Sequence, residues 1–121
     1  MIVQTVDNYQ VNKLWYNYRM AIRFDPKSAY KHFDEDHLNE EEILKAMAKP
    51  IWFALVDPND VSNPPSSKGT VVALVICLRH PGAWQDDLIE VLARPQGKDF
   101  LVFHVEHLTD KWFKYWKKWS K

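Results

Sequence analysis

Apolar and polar positions follow two different rhythms along this chain of 121 residues. Residues 2–6 form a short apolar run with β-branched side chains, which predicts a first strand. Val11, Leu14, Trp15, Tyr18 and Ile22 then recur at three- and four-residue spacing, one face of an amphipathic helix. Asp7 precedes that run and can cap its free amides. Asp25-Pro26 offers a cap and a first-turn proline, predicting a second short helix that reaches about Phe33. Asn39, with Glu42 three residues on, resembles a capping box and opens a helix carrying Ile43, Leu44 and Met47. Pro50 ends it.

From residue 51 the rhythm changes. Residues 51–56 are apolar almost without break and read as a buried strand. A loop rich in Asp, Asn, Ser and Pro occupies 57–69, and 70–78, with its valines, isoleucine and threonine, is the clearest strand of the chain. His80-Pro81-Gly82 breaks it, and 88–93 forms the next strand, stopped by Pro95. From Asp99 onward Leu101, Val105, Leu108, Trp112, Tyr115 or Trp116, and Trp119 make one long helical face. The element order is β-α-α-β-β-β-α, an α+β fold with a largely antiparallel sheet covered by helices, in a single domain spanning 1–121. The expected core is a meander over 51–93 with helices on one face and Trp52, Leu74, Ile76 and Leu108 inside.

Composition narrows the class. With 46% hydrophobic and 14% aromatic residues, the chain can build a core without disulfides or metal and is not disordered. Cys77, the single cysteine, sits in an apolar strand without a neighbouring cation or helix start, which predicts a core side chain in a reducing compartment. The first ten residues lack the basic and apolar regions of a signal peptide, and no apolar run is long enough to span a membrane. A cytoplasmic location is expected, or a virion if the chain comes from a bacteriophage. The 16 basic and 16 acidic side chains cancel, yet the last eleven residues hold five lysines and no acid. One basic helix on an acidic body argues against nucleic acid or a membrane as partner. His32 and His37 lie in an acidic stretch, while His104 and His107 stand three apart without an H-E-x-x-H spacing. They read as surface or interfacial histidines, with no metal site expected.

The segment 92–101 carries the most specific signal. A strand runs into Gln96-Gly97-Lys98, and on this reading a helix begins at once, so backbone amides would face a phosphate. In this feature and in its element order the chain resembles the GNAT N-acetyltransferase superfamily, whose fourth strand leads into a loop of pattern Gln/Arg-x-x-Gly-x-Gly/Ala. That resemblance implies an acetyl-coenzyme A site at Gln96, Gly97 and Lys98. Asp99 and Leu101, however, stand where the loop glycines belong, placing a carboxylate beside the phosphates and bulk at the helix start. The fold would also be cut short after its first half. The expectation is therefore a non-catalytic, acetyltransferase-like binding or structural module without cofactor and without catalytic residues. A bacteriophage virion component, an inhibitor or an immunity factor would suit it. The alternative is an active acetyl-coenzyme A-dependent N-acetyltransferase acting on an amine or protein.

The last helix interleaves five aromatic rings with lysines over 111–119, too many rings for one narrow apolar stripe. Some of Trp112, Phe113, Trp116 and Trp119 are expected to meet a protein partner, where aromatic anchors are effective. If no further strand follows 88–93, Leu88, Val91 and Leu92 lie on an open edge that invites pairing with another chain. A protein partner or a homo-oligomer is the expected occupant of edge and helix.

Overall fold

The computed structural model describes residues 22–65, 70–97 and 99–120. The strand expected at 2–6 and the amphipathic helix expected from Val11 lie outside these, apart from Ile22, which opens a strand. The described elements are β1 (Ile22–Phe24), α1 (Phe33–Asp36), α2 (Glu40–Met47), β2 (Trp52–Val56), β3 (Val72–Leu78), β4 (Leu88–Gln96), β5 (Asp99–His107) and α3 (Asp110–Trp119). The fold is α+β, and its five-stranded sheet runs β1-β5-β4-β3-β2. β2 through β5 form an antiparallel meander, and β1 alone pairs in parallel, with Ile22 opposite Phe100.

Local chemistry places most boundaries. Asn39 caps α2 by accepting from the Glu42 amide at 2.9 Å, and its own amide donates to the Glu42 carboxylate at 2.8 Å. The Asp25 carboxylate instead accepts from the Lys27 amide two residues on, an Asx turn, and the helix expected there starts later, at Phe33. β4 continues through Pro95, where a stop was expected. Pairing to β3 ends at Ala73 opposite Ala93, so on that side the proline's missing amide deprives no neighbour.

The main departure is β5, where 99–107 was expected to be helical. Leu92 faces His104 while Ala93 faces Val102, so Phe103 is an extra residue inserted in β5. That bulge puts Val102 and Val105 into the same buried layer three residues apart, a spacing that imitates a helix. Helical structure starts only at Asp110.

Strand alternation splits the core between the two faces of the sheet. Ala73, Val75, Cys77, Ile89 and Val91 pack with Ile43, Ala46 and Met47 of α2. Leu74, Ile76, Val56 and Leu92 pack with Trp112 and Tyr115 of α3. Leu74 and Ile76 are fully buried, with Trp52 and Leu108 half-buried against them. The helices thus cover both faces instead of the single face expected, α2 packing on one and α3 on the other.

Candidate functional site

Gln96 and Gly97 do not form a strand-to-helix loop. They lie at an exposed hairpin end, with Gln96 paired to Asp99, while Lys98 lies outside the described residues. Gly97 has φ of 62°, the left-handed conformation that tight hairpins require at their first central position. This glycine therefore serves chain reversal, and the helix amides expected to cradle a pyrophosphate are absent from the junction between β4 and β5. Asp99, read from sequence as a repulsive neighbour of phosphate, pairs with Arg23 of β1 at 3.1 Å.

The open edge expected at 88–93 is also corrected. β4 lies between β3 and β5, because 99–107 folds back on it as a strand. Val91 and Leu92 are buried core residues, and only the half-buried Leu88 borders open space. On α3, Trp112 and Tyr115 are buried, Trp116 and Trp119 are half-buried, and Phe113 is 42% exposed. Lysine ammoniums cover several rings, with Lys111 4.8 Å from the Trp112 centroid and Lys117 4.7 Å from Trp116. The Tyr115 hydroxyl donates to the Asn63 carbonyl at 2.9 Å, tying the 57–65 loop to the helix. Burial, then the Asp57 charge, pushes that hydroxyl up to about 12. Thus α3 uses two of its rings as core and turns Phe113 outward.

Phe113 faces a feature that the sequence reading did not single out. A groove of about 680 Å³ runs between the β3–β4 connection and the start of α3. Trp84, Leu88, Leu108 and Phe113 line it, and Trp84 is 83% exposed. Asp86, Asp87 and Asp110 add carboxylates to the same wall. Asp87 is held by Arg79 at 2.9 Å and Asp110 by Lys114 at 3.0 Å, while Asp86 stays exposed. The turn signal His80-Pro81-Gly82 marks the loop that presents Trp84; a tryptophan just past such a breaker, followed by Gln85, Asp86 and Asp87, was the available clue.

A second concentration of polar chemistry spans β4 and β5. Glu90 is 1% exposed, and one of its oxygens accepts from the Thr109 amide at 2.7 Å and the Thr109 hydroxyl at 2.6 Å. Its other oxygen lies 2.8 Å from His104 Nε2. Glu106 approaches the same nitrogen at 3.0 Å, and His32 Nε2 stands 3.6 Å from Glu106. The helical reading of 99–107 paired His104 with His107 and hid this group. On a strand, His104 and Glu106 are the natural neighbours, two residues apart. His107 is turned elsewhere: its amide donates to Asp36 at 3.0 Å, joining α1 to β5. Cys77 is fully buried in the aliphatic layer, and burial pushes its thiol up to about 12, so it is a core side chain.

No family model matches the chain, and no curated protein or solved structure matches it. The described residues form an α+β protein with a mixed five-stranded sheet flanked by helices. Its described surface offers an exposed aromatic groove beside the C-terminal aromatic helix. Among the described residues, no helix is long and apolar enough to cross a membrane.

Proposed function

We propose that the chain is a non-catalytic binding module on an acetyltransferase-like scaffold. Its ligand is a basic amphipathic segment of a partner protein, seated in the groove between Trp84 and Phe113. The carrying observation is Trp84, a large apolar ring left 83% exposed in a groove whose wall bears the exposed Asp86, beside Asp87 and Asp110 in their pairs with Arg79 and Lys114. An isolated exposed ring on a flat surface is ordinary, but aromatic walls with a carboxylate rim complement an apolar side chain flanked by lysines or arginines. The hairpin at Gln96 and Gly97 supports the non-catalytic part of this reading, since it leaves acetyl-coenzyme A without its helix-start amides. Roles exercised through surface complementarity alone, as a virion component, an inhibitor or an immunity factor, suit such a module.

The test is a titration of the intact protein with a synthetic amphipathic Lys/Leu helical peptide, followed by Trp fluorescence and calorimetry. Saturable binding that weakens with salt, and falls about tenfold or more in Trp84→Ala and in Asp86→Lys, is expected. Equal binding of a Glu/Leu peptide, or undiminished binding in both variants, overturns the groove assignment. Micromolar heat with acetyl-coenzyme A overturns the non-catalytic assignment.

A further inference from the structure

The group around His104 has an electrostatic difficulty that its own hydrogen bonds do not resolve. Glu90 and Glu106 stand directly opposite each other on β4 and β5. Like charges in such a cross-strand pair repel, and Glu90 is almost completely removed from water. Among the described residues no lysine or arginine pairs with either carboxylate; their ionic contacts are to His104 and His32. His104 Nε2 meets both carboxylates, at 2.8 and 3.0 Å, yet a single nitrogen carries only one proton to donate. One carboxylate is therefore left facing another without a donor of its own from that ring.

We infer that His32, His104 and Glu106 bind a divalent transition-metal ion of the zinc class, with Glu90 as the adjoining anion. The ligand atoms of His32, His104 and Glu106 all lie within 4.8 Å of one another. Tetrahedral coordination with bonds of about 2.0–2.1 Å separates neighbouring ligand atoms by about 3.3 Å. The separations of 3.0 Å between His104 and Glu106, and 3.6 Å between His32 and Glu106, bracket that value. Two neutral imidazoles and two carboxylates around a divalent ion leave no net charge, which removes the repulsion across the strands. The donor set is imidazole and carboxylate without thiolate, which suits zinc and its neighbours over calcium or magnesium.

Three elements hold the ligands in place. β5 directs His104 and Glu106 from alternate positions, and among the described residues β1 pairs with it only as far as Val102. His32 reaches in from the turn before α1, its ring edge-on to His104 with centroids 6.0 Å apart. Its other nitrogen, Nδ1, lies 3.4 Å from Glu35, the carboxylate partner that commonly orients a metal-binding imidazole. Thr109 fixes Glu90 by two short hydrogen bonds, leaving its second oxygen aimed at the site. The side chains of His32, His104 and Glu106 are each about a quarter exposed, at 22%, 26% and 25%, so an ion and one water or substrate atom can enter from solvent.

The experiment uses untagged full-length protein stripped with chelator, then titrated with Zn²⁺ by calorimetry and with Co²⁺ by visible absorption. One Co²⁺ per chain with tetrahedral d–d bands, displaced by Zn²⁺, is expected, together with a raised melting temperature in Zn²⁺. His32→Ala, at a side chain 22% exposed, weakens Zn²⁺ at least tenfold while the far-ultraviolet circular dichroism stays unchanged. Glu106→Gln, which keeps the side-chain shape, does the same, and His37→Ala leaves the affinity as it was. Absence of tetrahedral Co²⁺ bands, or retention of full affinity by both His32→Ala and Glu106→Gln, overturns the site. Because the groove is tested with a peptide and this site with metal alone, either assignment can fail without the other.

Discussion

The two faces of the sheet are built from different materials, and the contrast accounts for where chemistry is available. The α2 face is mainly aliphatic: Ile43, Met47, Val75, Ile89 and Val105 are all essentially inaccessible, and its rings, Phe53 and Phe100 among them, are phenylalanines without a polar atom. Its fit depends on shape alone. The α3 face is aromatic, with Trp112 and Tyr115 buried and Trp52, Trp116 and Trp119 partly so. Trp and Tyr carry polar handles that Phe lacks, and the helix that supplies them also presents Phe113 to the groove. One face is closed over its core; the other builds a core while leaving Phe113 and Trp116 partly in the open.

Truncation on each face should give the largest effects. Trp112→Ala is expected to cost about 3–5 kcal/mol and Ile43→Ala about 2–5 kcal/mol, measured by urea unfolding. Because the sheet lies between them, a milder pair on opposite faces should add: Ile43→Val with Tyr115→Phe, within about 0.5 kcal/mol of the sum. A coupling well above that would show the faces acting as one core and break the comparison.

The same contrast explains what could be seen in advance. Strands β2 and β3 were legible because both are apolar runs bounded by turn residues, and α2 because Asn39 and Glu42 announce its start. β5 was hidden because Phe103, the bulged residue, shifts the buried positions from every second to every third residue just before a true helix. With β5 read as helix, Gln96-Gly97 became a phosphate loop instead of a hairpin turn, and β4 became an edge. The metal-binding constellation went unseen for the same cause, and because His32 joins it from 72 residues away in sequence, a contact only the tertiary fold creates. Trp84 was missed differently: no periodic pattern marks a ring that belongs to neither face.

Alkaline titration probes both faces with one native group each. Cys77 on the α2 face and Tyr115 on the α3 face are both pushed up to about 12 from ordinary values of 9.0 and 10.0. Between those values and 12 the folded chain keeps protons that the unfolded chain releases, so stability falls as pH rises. The contribution is whole below pH 9 and is lost progressively up to about pH 12, at on the order of 1 kcal/mol per pH unit for each titrating group. Urea midpoints followed from pH 8 to 11.5 should show the decline beginning near pH 9. Cys77→Ala should delay its onset toward pH 10, and Tyr115→Phe should flatten its later part. Identical pH profiles for wild type and both variants would remove these groups from the account.

The smallest expected effect on stability separates the groove from the core behind it. Trp84 and Trp112 are chemically the same side chain, yet one is 83% and the other 2% exposed. Removing an exposed ring deletes little buried surface and leaves no cavity, so Trp84→Ala should change unfolding free energy by no more than about 0.5 kcal/mol. The fluorescence of Trp84 should be readily quenched by acrylamide, unlike that of Trp112, and the difference spectrum between wild type and Trp84→Ala isolates it. A loss comparable to that of Trp112→Ala would mean that Trp84 is packed in solution and that the groove is filled by the chain itself. A neutral effect on stability with a large effect on peptide binding is the outcome that a surface kept open for a partner requires.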